Sequence, residues 1–174
     1  MERMNRLKGL PPRLRDDVRV LVLGSMPGAA SLHAQQYYAH PRNRFWPLVA
    51  ALGGFDATLP YARRIIAAND AGIGLWDVLA ACERDGSLDS AIRRGSEVAN
   101  PIAATCTALP TLRAIALNGT KAAQAFARHV EPHLGDDLRQ RLRIHRLPST
   151  SAANAAFALP RLQAAWAVLR DDLA

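Results

Sequence analysis

Residues 18–24 read V-R-V-L-V-L-G, an apolar, β-branched run that ends in glycine. A strand this apolar has no water-facing side, so it belongs inside a parallel sheet covered on both faces. Two further runs behave alike. Residues 113–118 (R-A-I-A-L-N) stop at Asn118-Gly119, and residues 142–147 (L-R-I-H-R-L) stop at Pro148-Ser149, both turn-forming pairs. Residues 72–75 add a short fourth strand. Between them, Phe45, Leu48, Val49 and Leu52 recur at helical spacing, as do Ala123, Phe126, Ala127 and Val130. A last helix with Pro160 in its first turn presents Leu162, Trp166, Leu169 and Leu173. Strands alternating with helices predict an α/β fold, a three-layer α/β/α sandwich around a mainly parallel four-stranded sheet.

A chain of 174 residues, 49% apolar, can bury one sizeable core. It reads as a single domain, 1–174, with a flexible basic start up to Arg15 and an exposed stretch at residues 86–97. Lys and Arg total 22 against 15 Asp and Glu, a net charge of +7, which draws polyanions but does not by itself single out nucleic acid. No apolar run reaches the ~20 residues of a membrane-spanning helix, and the first dozen residues lack a secretory apolar stretch, so a cytoplasmic, monomeric protein is expected. Cys82 and Cys106 stand far apart without metal-ligand spacing, and Pro132 breaks the helix that would aim His129 and His133 at one ion. Neither a metal nor any other cofactor is expected.

In an open parallel sheet, ligands bind beyond the carboxyl ends of the strands. Three loops occupy that position here: residues 24–43, 118–121 and 148–154. The first opens G-S-M-P-G, whose glycines permit a tight turn that exposes the amides of Ser25 and Met26 to an electron-rich atom. A phosphate loop is excluded, because no G-K-[ST] follows and no G-x-G-x-x-G is present. A hydrolase elbow needs a residue between Gly24 and Ser25. Tyr37 and Tyr38 offer ring faces on which a nucleobase could stack, or they are core tyrosines. Asn43, ahead of the Phe45 helix, is placed to cap it, a role compatible with catalysis. The serines of residues 148–151 suit either phosphate contacts or helix capping.

The run Y-A-H-P-R-N-R-F-W at residues 38–46, ten residues after G-S-M-P-G, resembles the first motif region of mismatch-type uracil-DNA glycosylases. Residues 148–151 (P-S-T-S) resemble their second motif. Residues 72–79 (G-I-G-L-W-D-V-L), 86–92 (G-S-L-D-S-A-I) and 117–122 (L-N-G-T-K-A) resemble the hypoxanthine (deoxyinosine) DNA glycosylase branch of that superfamily. The likeness spans roughly residues 18–166. It departs from the mismatch-type pattern at Met26, where those enzymes carry a catalytic Asn, and at Leu147, where many relatives have His or Asn. A thioether neither orients water nor accepts a proton usefully, which argues against robust uracil excision by the usual route.

The resemblance implies a monofunctional glycosylase that extrudes a deaminated base, most readily hypoxanthine, from DNA. It assigns catalysis to Asn43, which would position water against C1′. Tyr38 would stack on the base, Asn118 would make bidentate hydrogen bonds to its edge, and the amides of Ser25 and Met26 would hold its oxygen. Ser149 and Ser151, with Arg42, Arg44, Arg146 and Lys121, would contact DNA phosphates. A Schiff-base lyase step through Lys121 is not expected. Asp77 and Asp89 are the alternative acids, with helix capping as their other reading. Uracil, xanthine or mismatch specificity, and a non-catalytic nucleic-acid-binding protein of the same fold, are the competing readings.

Overall fold

The computed structural model describes residues 6–174. In chain order the elements are β1 (Arg6–Lys8), β2 (Val20–Gly24), α1 (Ala29–Ala34), α2 (Phe45–Gly53), α3 (Tyr61–Asp70), β3 (Ile73–Asp77), β4 (Leu79–Glu83), β5 (Val98–Ala99), α4 (Ile102–Thr107), β6 (Ala114–Asn118), α5 (Thr120–His129), α6 (Asp136–Arg141), β7 (Arg143–Leu147), α7 (Leu159–Trp166) and α8 (Arg170–Leu173). Short 3₁₀ turns lie at Asp89–Ala91, Glu131–His133 and Ala167–Leu169.

The four strands anticipated from the sequence form one sheet in the order β3-β2-β6-β7, parallel throughout. Every residue of β2, β3 and β6 is buried, as a strand covered on both faces requires. β7 closes one edge and alternates less apolar residues, with Arg143 and Arg146 exposed. Helices flank the sheet: α3 lies on β3, α5 on β6 and β7, and α2 packs against α3 and α7. β3 runs two residues past the expected Leu75, through Trp76 and Asp77. On α5 the buried residues are Ala122, Ala125 and Phe126, a face rotated from the anticipated stripe because alanines on every side weaken the pattern.

A second, antiparallel sheet of order β1-β4-β5 was not anticipated. It changes the reading of the N-terminal segment. Residues 6–8 pair with residues 81–83, Leu10 is buried, and Arg13 and Leu75 exchange two backbone hydrogen bonds of 2.8 and 2.9 Å. The described part of the expected flexible start, residues 6–15, thus carries strand pairing, a buried leucine and backbone hydrogen bonds, while residues 1–5 of it lie outside the described residues. The segment at 86–97 is exposed as expected except at Ile92, which is buried, and at Ser96 and Glu97, which are half-buried. Cys82 and Cys106 are free and buried. Among the described residues no helix is long and apolar enough to cross a membrane.

The register places the last residues of the strands in one row. Gly24 is paired with Asp77, Leu23 with Leu117, and Asn118 with Leu147. Neighbours in register point to the same face of a sheet. Asp77 and Asn118 therefore flank Gly24, which has no side chain to fill the space between them.

The opposite end of the sheet is closed by the C-terminus. Asp172, 1% exposed, accepts from Arg143 at 3.1 Å and is 2.9 Å from Nε2 of His145, and Arg113 bonds the carbonyls of Asp172 and Ala174. These bonds staple α8 to the edge strand. Asp172→Ala leaves the half-buried imidazole without its partner and is expected to cost about 1–3 kcal/mol, read as a lower urea midpoint at unchanged m-value.

Candidate active site

The loops after β2, β6 and β7 enclose one open cleft of ≈ 1200 Å³. Tyr38, Asn43, Asn118 and Ser149 all line it, together with Ser25, Met26, Arg42, Lys121 and Ser151. Arg146 faces a neighbouring groove beside Pro148 and Phe157, and Arg44 lines neither.

At the centre sits a buried polar node. Asn118 Oδ1 accepts the Thr150 N–H at 3.0 Å, and its Nδ2 donates to Thr150 Oγ1 at 3.1 Å and to the Tyr38 hydroxyl at 3.2 Å. Thr150 is fully buried, and its carbonyl accepts from the backbone N–H of Arg44 at 3.0 Å. Both donor hydrogens of Asn118 are thereby committed inside the protein, as is its oxygen in one bond. A bidentate grip on a base edge, the role expected from the resemblance, would require this node to break. Asn118 instead fixes three loops to one another.

Tyr38 has φ +54, a left-handed conformation uncommon for a bulky residue. Its ring stacks on Phe45, with centroids 3.8 Å apart and planes 19° apart. Burial raises its phenol well above the usual tyrosine range, and the charge of Asp77 adds to this. Tyr37 is not a stacking surface. It is 2% exposed and its hydroxyl donates to the carbonyls of Pro11 at 2.8 Å and Leu10 at 3.2 Å, anchoring the N-terminal segment. Asn43 precedes the N-cap residue Arg44 and accepts the N–H of Phe45, the first residue of α2, at 2.9 Å, while its side chain lines the cleft.

The serine loop is not a helix cap; α7 begins eight residues after Ser151. Ser149 Oγ accepts the Ser151 N–H at 3.1 Å, and Ser151 Oγ accepts the Ala153 N–H at 3.2 Å. Each hydroxyl keeps its O–H to donate outward. The loop is braced by Arg44, whose guanidinium donates to the carbonyls of Thr150, Ser151, Asn154 and Phe157, and by Trp166, whose Nε1 donates to Pro148 at 3.0 Å. Arg44 is thus a brace rather than a phosphate contact, because its N–H groups are spent on backbone carbonyls.

Lys121 is similarly committed. Its ammonium lies 2.6 Å from Glu97, which also lies 2.9 Å from His129. Burial pushes the Glu97 carboxyl up, but the bonds from His129 and Lys121 outweigh it and hold the group below its ordinary value. Arg42, Arg94 and Arg128 line the cleft without a salt bridge among the described residues. The last two went unnoticed in the sequence, where isolated arginines on an Arg-rich chain carry no signal.

Neither alternative acid caps an α-helix. Asp89 accepts the Ser25 hydroxyl at 2.6 Å, so the Ser25 O–H is already donated. Arg84 holds the carbonyls of Pro27 at 2.7 Å and Gly86 at 2.9 Å, fixing the first loop from below. Asp77 is 4% exposed, ends β3, and lines the cleft. Burial pushes its carboxyl up to about 7, helped by the charge of Asp89 and opposed by Arg84. The signal for it was a strand-like run that ends in a carboxylate, G-I-G-L-W-D.

This geometry can be set beside known proteins. The sequence profile of the uracil DNA glycosylase superfamily matches residues 11–171. A hypoxanthine DNA glycosylase of Methanosarcina acetivorans is 37% identical over 165 residues, covering 94% of this chain and 98% of that protein. One of Methanosarcina barkeri is 36% identical over 118 residues, covering 67% and 73%. The solution NMR structure of a uracil DNA glycosylase candidate from Methanosarcina acetivorans superposes with a TM-score of 0.78 at 34% identity, covering 97% of this chain and 99% of that one. With the profile running through all four parallel strands and every loop of the cleft, the chain belongs to the uracil-DNA glycosylase superfamily.

Proposed function

We propose that this protein is a monofunctional DNA glycosylase that hydrolyses the N-glycosidic bond of deaminated bases, hypoxanthine foremost. The observation that carries the reading is the convergence of Tyr38, Asn43 and Ser149 on a single cleft at the carboxyl ends of the strands. Relatives named hypoxanthine DNA glycosylase support the choice of base. Buried Met26 supports it too, because it presents no polar group where a uracil-excising relative would place one.

An extruded base slides onto the free face of Tyr38, extending the Phe45–Tyr38 stack, a contact of about 1–3 kcal/mol per base where measured. As the C1′–N9 bond breaks, its electron pair leaves with the base and the sugar becomes cationic. A water held by Asn43 adds to C1′ and gives up its proton, which balances the departing base. Asn43 acts by orientation, and the bond from the Phe45 N–H keeps its amide in place before substrate arrives. The hydroxyls of Ser149 and Ser151 and the Arg42 guanidinium hold the flanking phosphates without reading sequence. Lys121, ion-paired with Glu97, is unsuited to Schiff-base chemistry, which agrees with glycosylase action without strand cleavage.

Duplexes carrying one deoxyinosine, deoxyxanthosine or deoxyuridine, incubated with the protein and then cleaved with alkali, rank its substrates. Deoxyinosine is expected first; efficient cleavage of uracil with none of deoxyinosine would overturn the choice. Asn43→Ala is expected to lower the single-turnover rate on the order of 10²–10³-fold with little effect on DNA affinity. Salt-sensitive DNA binding indifferent to the base, with no cleavage by the wild type, would leave a binding protein. Asn118→Ala is expected to behave differently, costing about 1–3 kcal/mol and speeding hydrogen exchange at the Thr150 N–H. Unchanged exchange there would refute the node.

A further inference from the structure

The cleft floor holds one polar side chain that no other group among the described residues uses. The hydrogens of Asn118 go to Thr150 and Tyr38, the Ser25 O–H goes to Asp89, and Glu97 is bonded to Lys121 and His129. Asp77 is the exception. Its Oδ2 is buried without any partner, and among the described residues neither carboxyl oxygen takes part in a salt bridge. Its Oδ1 lies so close over Gly24 that a Cβ there would come within 2.4 Å of it and within 3.3 Å of the Tyr38 hydroxyl. The missing side chain of Gly24 is thus the space into which the Asp77 carboxyl reaches, beside the ring on which the base stacks.

From this geometry we infer that Asp77 grips the extruded base, donating a hydrogen bond from its carboxyl O–H to the keto oxygen of a deaminated purine. The inference rests on the glycosylase reading and adds a base-contacting residue to it. A buried carboxyl with neither an ion pair nor a hydrogen-bond donor avoids the cost of an unpaired charge by keeping its proton. The raised position of its titration, about 7, agrees. The chemistry needs that proton. Negative charge accumulates on the base as it leaves, so a carboxylate against its keto oxygen would repel the transition state, whereas a carboxylic acid stabilises it. The proton sits best on Oδ1, since on the sealed Oδ2 it would be a buried donor with no acceptor.

The groups facing Asp77 set the pH behaviour. Asp89, on the 3₁₀ turn, disfavours its ionisation, and Arg84, after β4, favours it. Tyr37 and Tyr38, from the loop before α2, are both pushed above the ordinary tyrosine range, first by burial and then by the charge of Asp77, and do not titrate near neutrality. Its folded-state value lies above the unfolded one. The acid form therefore persists from acidic solution up to about pH 7 and is lost as pH rises through that value.

The test is kcat/KM for deoxyinosine excision between pH 5.5 and 9, a quantity that reports ionisations of the free enzyme. The wild type is expected to lose about tenfold per pH unit above about pH 7. Asp77→Asn, whose amide donates at every pH, is expected to remain active and lose that descent. Asp77→Ala should fall on the order of 10²-fold. Melting temperatures supply a second readout, falling between pH 4 and 8 in the wild type and not in Asp77→Asn. An active wild type whose alkaline descent survives in Asp77→Asn, or whose rate survives in Asp77→Ala, overturns the role of Asp77 alone. A wild type inactive on every base sinks the glycosylase reading and this one with it.

Discussion

The cleft depends on a single amide. Asn118 ends a fully buried strand, and its side chain must satisfy both a donor pair and an acceptor away from water. It does so by drawing the Thr150 N–H and Oγ1 and the Tyr38 hydroxyl to itself. Because a half-satisfied buried network is worse than an apolar one, the three loops have little freedom to sit elsewhere. Thr150 then passes the constraint on, accepting the Arg44 N–H at the start of α2. The side chain that the resemblance assigns to base reading is, in the folded chain, bonded to Thr150 and Tyr38.

Charge in the cleft follows the needs of a reaction that expels an anion. Arginines line its walls, yet three acids also line it. Each is disarmed by its own means. Glu97 is shared by Lys121 and His129, and Asp89 takes the Ser25 hydroxyl within reach of the Arg84 charge. Asp77 has neither hydrogen-bond donor nor ion pair; burial, helped by the charge of Asp89, pushes its carboxyl up. A net positive chain could attract DNA with any arrangement of arginines; disposing of the floor carboxylates is what makes the cleft hospitable to a leaving base.

The parallel sheet was legible because a covered strand writes its burial directly into an unbroken apolar run, as in V-L-V-L-G. Turn pairs at Asn118-Gly119 and Pro148-Ser149 marked the strand ends, and with them the loops that carry the cleft. The small antiparallel sheet was not legible. β1 has three residues and β5 has two, too short for alternation to register, and they exist only by pairing with β4. In the cleft, residue types that touch ligand were visible, but commitments between side chains far apart in sequence were not. Nothing local distinguishes Arg44, which bonds carbonyls more than a hundred residues away, from Arg42, which lines the cleft two positions earlier. The same holds for Lys121, whose partner Glu97 lies on a stretch read as solvent-exposed.

One helix terminus organises the reacting groups. The first residue of α2, Phe45, is wholly buried; its N–H orients Asn43 and its ring supports Tyr38. Tyr38 and Asn43 are therefore both held by the first residue of α2, and the left-handed backbone at Tyr38 is the strain accepted to bring the ring over Phe45. The same helix start is bonded to Thr150, which ties Ser149 and Ser151 of the neighbouring loop to it. Orientation on this scale is worth more to a hydrolysis without a strong nucleophile than any basicity an asparagine lacks. Met26 adds no polar group to the cleft, whose other side chains are held in register by α2 and the Asn118 node.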